Sequence, residues 1–206
     1  SRFHMLGDRF DVAARFAEEA LELADELDLD EARANVLNNL GTMKVAVGDR
    51  SGSAELERSI ALAEAHNSAE AVRGYNNLAY CLYRLGDLRH YAAVTERMQA
   101  ASERFGGDWV SWAADRRVHV LYQSGEWDEA AALLEKMLAG VAAGSGHYLE
   151  AAWRETRARI RLARGDSDGA EEDAEVALDR ARVAGDTQLV LPMIALRARI
   201  VAEERP

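Results

Sequence analysis

The chain has 206 residues, of which 49% are apolar and 30% charged, and its formal net charge is −11. This acidic balance disfavours direct nucleic-acid binding, because neutralising phosphates requires clustered Lys and Arg. The single cysteine, Cys81, excludes an internal disulfide framework and fits a reducing compartment, so we expect a cytoplasmic protein. No apolar run approaches the roughly 20 residues of a membrane-spanning helix, so we expect no membrane partner.

Five Gly-acidic pairs divide the chain at nearly even intervals of about 40 residues. A period of this length, with one such turn per unit, is typical of a solenoid built from helical hairpins. Only two prolines, Pro192 and Pro206, are available to interrupt a helix. The evenly spaced pairs are Gly7-Asp8, Gly48-Asp49, Gly86-Asp87, Gly125-Glu126 and Gly165-Asp166.

The apolar periodicity predicts ten helices and no strand, with each unit formed by an A helix, a Gly-acidic turn and a B helix. In chain order the predicted helices cover residues 9–27, 31–47, 53–65, 69–85, 88–104, 109–123, 127–141, 147–164, 168–184 and 189–203. We treat residues 1–206 as a single repeat domain. Its units lie near 1–28, 31–66, 69–105, 108–144, 147–185 and 187–206.

The first predicted unit lacks its A helix and the last lacks its B helix, so we expect a fragment of a larger multidomain protein. Apolar surface that the missing helices would cover should then be exposed at both ends. We expect it around Phe3, Phe10 and Phe16 at one end, and around Leu191 and Ile194 at the other. Exposed patches of this kind drive association, so end-to-end self-association is expected.

Two stretches carry a resemblance to a known family: Asn38-Asn39-Leu40-Gly41, before the turn at Gly48, and Asn76-Asn77-Leu78-Ala79, before the turn at Gly86. Both resemble the A helix of a tetratricopeptide repeat, and the resemblance covers essentially the whole chain. Small residues lie seven before and five or six after each turn glycine, as the family's pattern requires. They are Gly41, Ala79, Val118 and Ala158, then Ala54, Ala92, Ala130 and Ala170.

Lys44 and Arg161 depart from the pattern, since the family places a large apolar group four before the glycine. The period of this chain also exceeds the roughly 34 residues that are usual in the family. It is similar to the longer repeats of kinesin light chains and of the C-terminal arrays of bacterial ATP-binding activators of the maltose-regulator type. The Ala- and Arg-rich, acidic composition resembles the bacterial group more closely.

The resemblance implies an all-α, right-handed solenoid of about ten antiparallel helices, in which the A helices line a concave groove. In this family, asparagine nine before the turn glycine binds the backbone of an extended peptide, because a carboxamide offers a donor and an acceptor at once. Neighbours at helical spacing share that face. The candidate ligand groove consists of Asn39, Arg73, Asn77, Tyr80, Arg84, Trp112, Arg116, His119 and Tyr122.

Two interpretations of this face stay open. Its arginines can hold carboxylates and its aromatics offer contact area, which favours an extended peptide with acidic groups. The same asparagines can instead bond to the neighbouring helix and hold the superhelix together. We expect a protein- or peptide-binding module of a bacterial regulatory protein, with a small-molecule sensor or an architectural oligomerisation domain as the alternatives.

No catalytic constellation is apparent, so we expect neither an enzyme nor a cofactor. The glycine-rich stretch 140–146 lacks the lysine of a phosphate-binding loop and follows a helix rather than a strand. The five histidines are scattered without metal-ligand spacing, so we expect no metal site. Cys81, Trp127 and Trp153 are interpreted as structural residues.

Overall fold

The computed structural model describes residues 10–144 and 146–203. Within these residues the chain forms ten α-helices and no strand, which confirms the predicted all-α repeat fold. The pair Gly7-Asp8 and the side chains of Phe3 and Phe10 lie outside the description. The helices are α1 (Phe10–Glu26), α2 (Asp30–Ala46), α3 (Gly52–Ala65), α4 (Glu70–Arg84), α5 (Leu88–Phe105), α6 (Asp108–Ser124), α7 (Trp127–Ala142), α8 (Glu150–Ala163), α9 (Ser167–Ala184) and α10 (Thr187–Glu203).

Each of the four predicted turn pairs within the described residues lies between an A helix and the B helix that follows it, as the sequence predicts. Gly86 and Gly165 have φ of 75° and 81°, a left-handed conformation that glycine adopts without strain. The amide after each glycine bonds back into the A helix, as from Asp87 N to Leu82 O at 2.9 Å. The same aspartate then accepts from the B helix, with Asp87 Oδ1 3.3 Å from His90 N.

The chain divides into two compact units, residues 1–116 and 117–206. In the first unit α2 packs against α1, α3 and α4, and α4 packs against α3 and α5. In the second unit α8 packs against α7, α9 and α10. The A helices α2 and α8 therefore each contact two B helices and the next A helix, which is the neighbour pattern of stacked hairpins.

Small residues bring the helices of a hairpin into close contact. A Cβ added to Gly41 in α2 would lie 2.5 Å from the carbonyl oxygen of Gly52 in α3, so neither position accepts a side chain without a shift. The predicted small residue Ala54 is exposed, because α3 begins at Gly52 and that glycine makes the contact instead. In the second unit Ala158 of α8 packs with Ala170 and Ala174 of α9.

Three arginines of α8 occupy positions that are apolar in α4. Arg154, Arg157 and Arg161 stand, two repeats later, at the positions of Tyr75, Leu78 and Leu82. The turn glycines Gly86 and Gly165 set this alignment, because each arginine lies as far before Gly165 as its apolar counterpart lies before Gly86.

All three arginines bond to Asp173 of α9, which is 1% exposed. Arg157 donates to both carboxylate oxygens at 2.6 and 2.7 Å, Arg161 Nη1 donates at 3.0 Å and Arg154 Nη1 at 3.2 Å. The hydrogen bond to Asp173 also raises the pKa of Arg157. The helix register is therefore unchanged at Arg161. Bonds to the buried carboxylate replace the apolar contacts that the first unit makes at these positions. Lys44, the other departure, pairs with Glu55 of α3.

Apolar side chains are exposed on the last helix and the first. Leu191 and Ile194 of α10 are 64% and 48% exposed, and Val201 continues the same face towards the end of the helix. Phe16 of α1 is 40% exposed. None of the described helices is both long and apolar enough to cross a bilayer.

Asp173→Ala should lower the free energy of unfolding by about 3–5 kcal/mol, because it leaves three half-buried guanidinium groups without the buried carboxylate that they share. Glu172→Ala removes a neighbouring exposed carboxylate on the same helix and serves as the control, with little expected effect. Urea unfolding of both variants measures the difference. Equal stability of the two variants would show that the arginines do not depend on Asp173.

Candidate functional site

A row of polar side chains, made of two hydrogen-bonded groups, crosses the A helices of the first unit. We call it the polar row; it links α2 to α4 and α4 to the first part of α6. Its members, most of them buried or half-buried, come from positions at helical spacing on each helix. They are Asn35, Asn38, Asn39, Glu70, Arg73, Asn76, Asn77, Asp115 and Arg116.

Arg73 ties α4 to α2 at one end of the polar row. Its Nη2 donates to Asn39 Oδ1 at 2.5 Å and its Nη1 to Glu70 Oε2 at 2.8 Å. Asn35 Nδ2 donates to the same Glu70 oxygen at 3.1 Å, and Asn39 Nδ2 donates to Asn35 Oδ1 at 3.3 Å. Arg73 and Asn39 are only 7% and 2% exposed. Their polar groups therefore face each other, and the charge of Arg73 is balanced within the row.

Asn77 lies further along the polar row and is half-buried. Its Nδ2 donates to Asn38 Oδ1 on α2 at 2.6 Å, and its Oδ1 accepts from Asn76 Nδ2 at 3.3 Å. Asn76 Oδ1 in turn accepts from Arg116 Nε at 2.9 Å, so the two amides connect three A helices. Asn38 is fully buried, and its Nδ2 has no hydrogen-bond partner within the described residues.

Tyr80 and Arg84 extend this face beyond the polar row, one and two turns after Asn76 and Asn77. Arg84 Nη1 donates to the Tyr80 hydroxyl at 3.1 Å, and this bond raises the pKa of Arg84. The guanidinium lies 5.9 Å from the Tyr80 ring centroid. Arg84 is exposed, and no carboxylate of the described residues forms an ion pair with it. Trp112 on α6 is half-buried.

His119 and Tyr122 belong to the second unit, where they are half-buried on the later turns of α6. The Tyr122 ring stacks on Trp127 with centroids 6.0 Å apart and planes 13° apart. Trp127 Nε1 also donates to the Tyr122 carbonyl at 3.0 Å. Tyr122 thus fixes the start of α7, and a ligand contact by either residue stays a prediction.

The sequence predicts Asn39, Asn77 and Arg73 as site residues, but it does not predict the residues that bond to them and hold them in position. Asn38, Asn76 and Glu70 are not among the candidates, although each bonds directly to a candidate residue. The sequence does contain a signal, because the doublet Asn-Asn occurs at Asn38-Asn39 and again in the next repeat. The first asparagine of each doublet accepts from the same position of the following repeat, which is Asn77 for Asn38 and Arg116 for Asn76.

Neither family models nor curated protein sequences match this chain, but solved structures do. Two crystal structures of a putative kinesin light chain from Podosopora anserina with nearly identical TPR-like repeats are similar at 17% identity. The match to the first has a TM-score of 0.65 and covers 87% of this chain and 90% of the kinesin light chain. The match to the second has a TM-score of 0.63 and covers 100% of this chain and 93% of the other. BtubC (BKLC) from P. vanneervenii is similar at 19% identity with a TM-score of 0.66, and the match covers 96% of this chain and 91% of BtubC. The chain therefore has the fold of a TPR-like helical repeat array.

Proposed function

We propose that the exposed edge of the polar row binds an extended segment of a partner protein. Arrays of this fold commonly bind other proteins, because stacked hairpins present an extended surface. The observation that carries the proposal is the pair Asn76 and Asn77. Both amides are half-buried and already fixed by bonds to α2 and α6. A primary amide has two N–H donors and two oxygen lone pairs, so capacity remains for a peptide unit.

The charge on this face favours a segment with acidic groups. Arg84 is exposed and held by the Tyr80 hydroxyl, so its guanidinium is positioned to meet a carboxylate. We assign direct contact to Asn77, Tyr80, Arg84, Trp112 and Arg116. Asn39 and Arg73 are buried, and we assign them the role of holding Asn77 and its helix in place.

We place this module in a cytoplasmic bacterial regulatory protein. The support is compositional: Lys44 and Lys136 are the only lysines among 25 basic residues, the chain is acidic, and it holds one cysteine. The sequence that flanks this segment in its gene tests the assignment. A nucleotide-binding or DNA-reading domain in the same polypeptide would support it, and a secretory signal would contradict it.

A library of short unstructured peptides, selected on the immobilised protein, should yield binders enriched in acidic residues. Arg84→Gln should weaken the selected peptide by about 1.5–3 kcal/mol, the usual contribution of a hydrogen bond to a charged group, with a smaller loss at high salt. Asn77→Ala should weaken it by about 1 kcal/mol. Calorimetric titration measures both effects.

Arg89→Gln on α5 is the control, since Arg89 is exposed on a B helix and should leave peptide binding unchanged. The melting temperature of each variant is also measured, because the polar row holds helices together. A lower melting temperature of Asn77→Ala with unchanged peptide affinity would assign Asn77 a purely architectural role.

We also propose that the exposed apolar face of α10 supports end-to-end association with a second copy. Sedimentation of the wild-type chain should show a monomer–oligomer equilibrium that Ile194→Glu abolishes, because a buried unpaired charge opposes the contact. Val183→Glu is the control, since Val183 is 85% exposed on α9 and lies off this face. A concentration-independent monomer for the wild type would contradict the proposal.

A further inference from the structure

The helix α1 carries an apolar stripe that the rest of the first unit leaves exposed. Its side chains recur every three or four residues, so they share one face of the helix. Phe16, Leu23 and Leu27 are 40%, 54% and 57% exposed, and Ala20 between them is half-buried. We call these four residues the α1 stripe. It runs for about 16 Å along the helix axis.

The α1 stripe is separate from the surface by which α1 packs on α2. Ala13 and Ala17 are fully buried there, in contact with Val36 and Met43 of α2. Small residues therefore make the contact within the chain, and the exposed leucines of α1 lie beside it. A polar side chain at Leu23 leaves that contact unchanged.

Carboxylates border the α1 stripe. Between its two ends the sequence holds five of them and no basic residue, and all five are exposed. Glu19 and Glu26 lie next to the stripe at helical spacing. Among the five, Glu19 lies 4.0 Å from Arg15, and Asp25 pairs with Arg33. Two copies of α1 packed on each other would bring like charges together, which disfavours pairing of α1 with itself.

The exposed apolar face of α10 is a surface of the same kind. Leu191, Ile194 and Val201 are 64%, 48% and 38% exposed, and Ala198 lies between them on the same face. The opposite side of α10 is closed within the second unit, where Met193 is 1% exposed. Each of the two helices thus keeps one apolar face, of similar length, outside the core of its own unit.

The charge of α10 is opposite to that of α1. Over residues 187–202 the sequence has two arginines, Arg197 and Arg199, and no carboxylate. Arg197 forms an exposed ion pair with Glu175 of α9 at 3.3 Å, and pairs of this kind contribute little to stability. Packing α10 on a second α10 brings arginines towards arginines, whereas packing it on α1 brings them towards carboxylates.

We propose that the exposed apolar face of α10 docks on the α1 stripe of a second copy, so that the chains associate head to tail. The proposal rests on the end-to-end association proposed above and names the surface that receives α10. In the repeat α10 is an A helix and α1 a B helix, the two kinds that pack together in α2 with α3 and in α8 with α9. Because the two surfaces differ, a copy bound through its α10 still offers its own α1 stripe.

Two variants, each blocking one surface, test this arrangement. Leu23→Glu places a charge in the α1 stripe and Ile194→Glu places one in the face of α10, and both positions are exposed, so the fold is preserved. Sedimentation is measured up to about 1 mM protein, because an interface of one helix pair is small. The wild type should form dimers and larger species as its concentration rises, and each variant alone should stay monomeric. Val183→Glu, which adds the same charge on α9, should behave as the wild type.

An equimolar mixture of the two variants distinguishes the proposed contact from every symmetric one. The Leu23→Glu copy keeps its α10 face and the Ile194→Glu copy keeps its α1 stripe, so the mixture should form a 1:1 heterodimer and nothing larger. A fluorescent label on the amino terminus of Leu23→Glu, whose α1 stripe is not used, identifies the heterodimer by sedimentation velocity.

The possible failures separate the two proposals. A dimer of Leu23→Glu alone would assign the contact to two α10 faces, and a dimer of Ile194→Glu alone would assign it to two α1 stripes. Either result, or a mixture that stays monomeric although the wild type associates, would overturn the head-to-tail contact while end-to-end association itself stands. A wild type that remains monomeric at about 1 mM would overturn both proposals.

Discussion

The contact between small residues of neighbouring helices is the constraint on which the rest of this structure depends. Gly41 and Gly52 allow α2 and α3 to touch through their backbones, and Ala158 of α8 packs on Ala170 and Ala174 of α9. Helices held at this distance present equivalent positions to equivalent neighbours in each hairpin. A side chain that changes at one position must then be matched by the residue opposite, because the space between the helices is fixed.

The two faces of the hairpins fill the space between the helices with different kinds of side chain. On the A-helix face, asparagines and Arg73 fill the contact with hydrogen bonds, and the outer amides keep bonding capacity. On the B-helix side, the position of Tyr75 and Arg154 is aromatic in one hairpin and ionic in another. Asp173 makes the ionic version possible, because it shares its carboxylate among three arginines.

Local features of the sequence are sufficient to predict the helices and turns. A Gly-acidic pair determines the backbone conformation of only a few neighbouring residues. It can therefore be recognised in the sequence without knowing which helices pack together. Arg161 and Lys44 break the apolar pattern, and nothing local shows that Asp173 and Glu55 on another helix compensate them.

The site is harder to predict, because its residues depend on neighbours across the helix contacts. The candidate groove residues of α2 and α4 share a face as expected, but burial of Asn39 and Arg73 depends on Glu70 and Asn35.

The equivalence of repeat positions is tested most directly by a double-mutant cycle that transplants one ion pair. Ala71→Glu and Ala101→Arg introduce into the first unit the pair that Glu150 and Arg180 form in the second. The free energy of unfolding is measured by urea for the wild type, both single variants and the double variant. Equivalent geometry predicts a favourable coupling of about 0.5–3 kcal/mol, because each new charge meets its partner only in the double variant. A coupling of zero, or an unfavourable one, would show that the two hairpins do not place these positions alike.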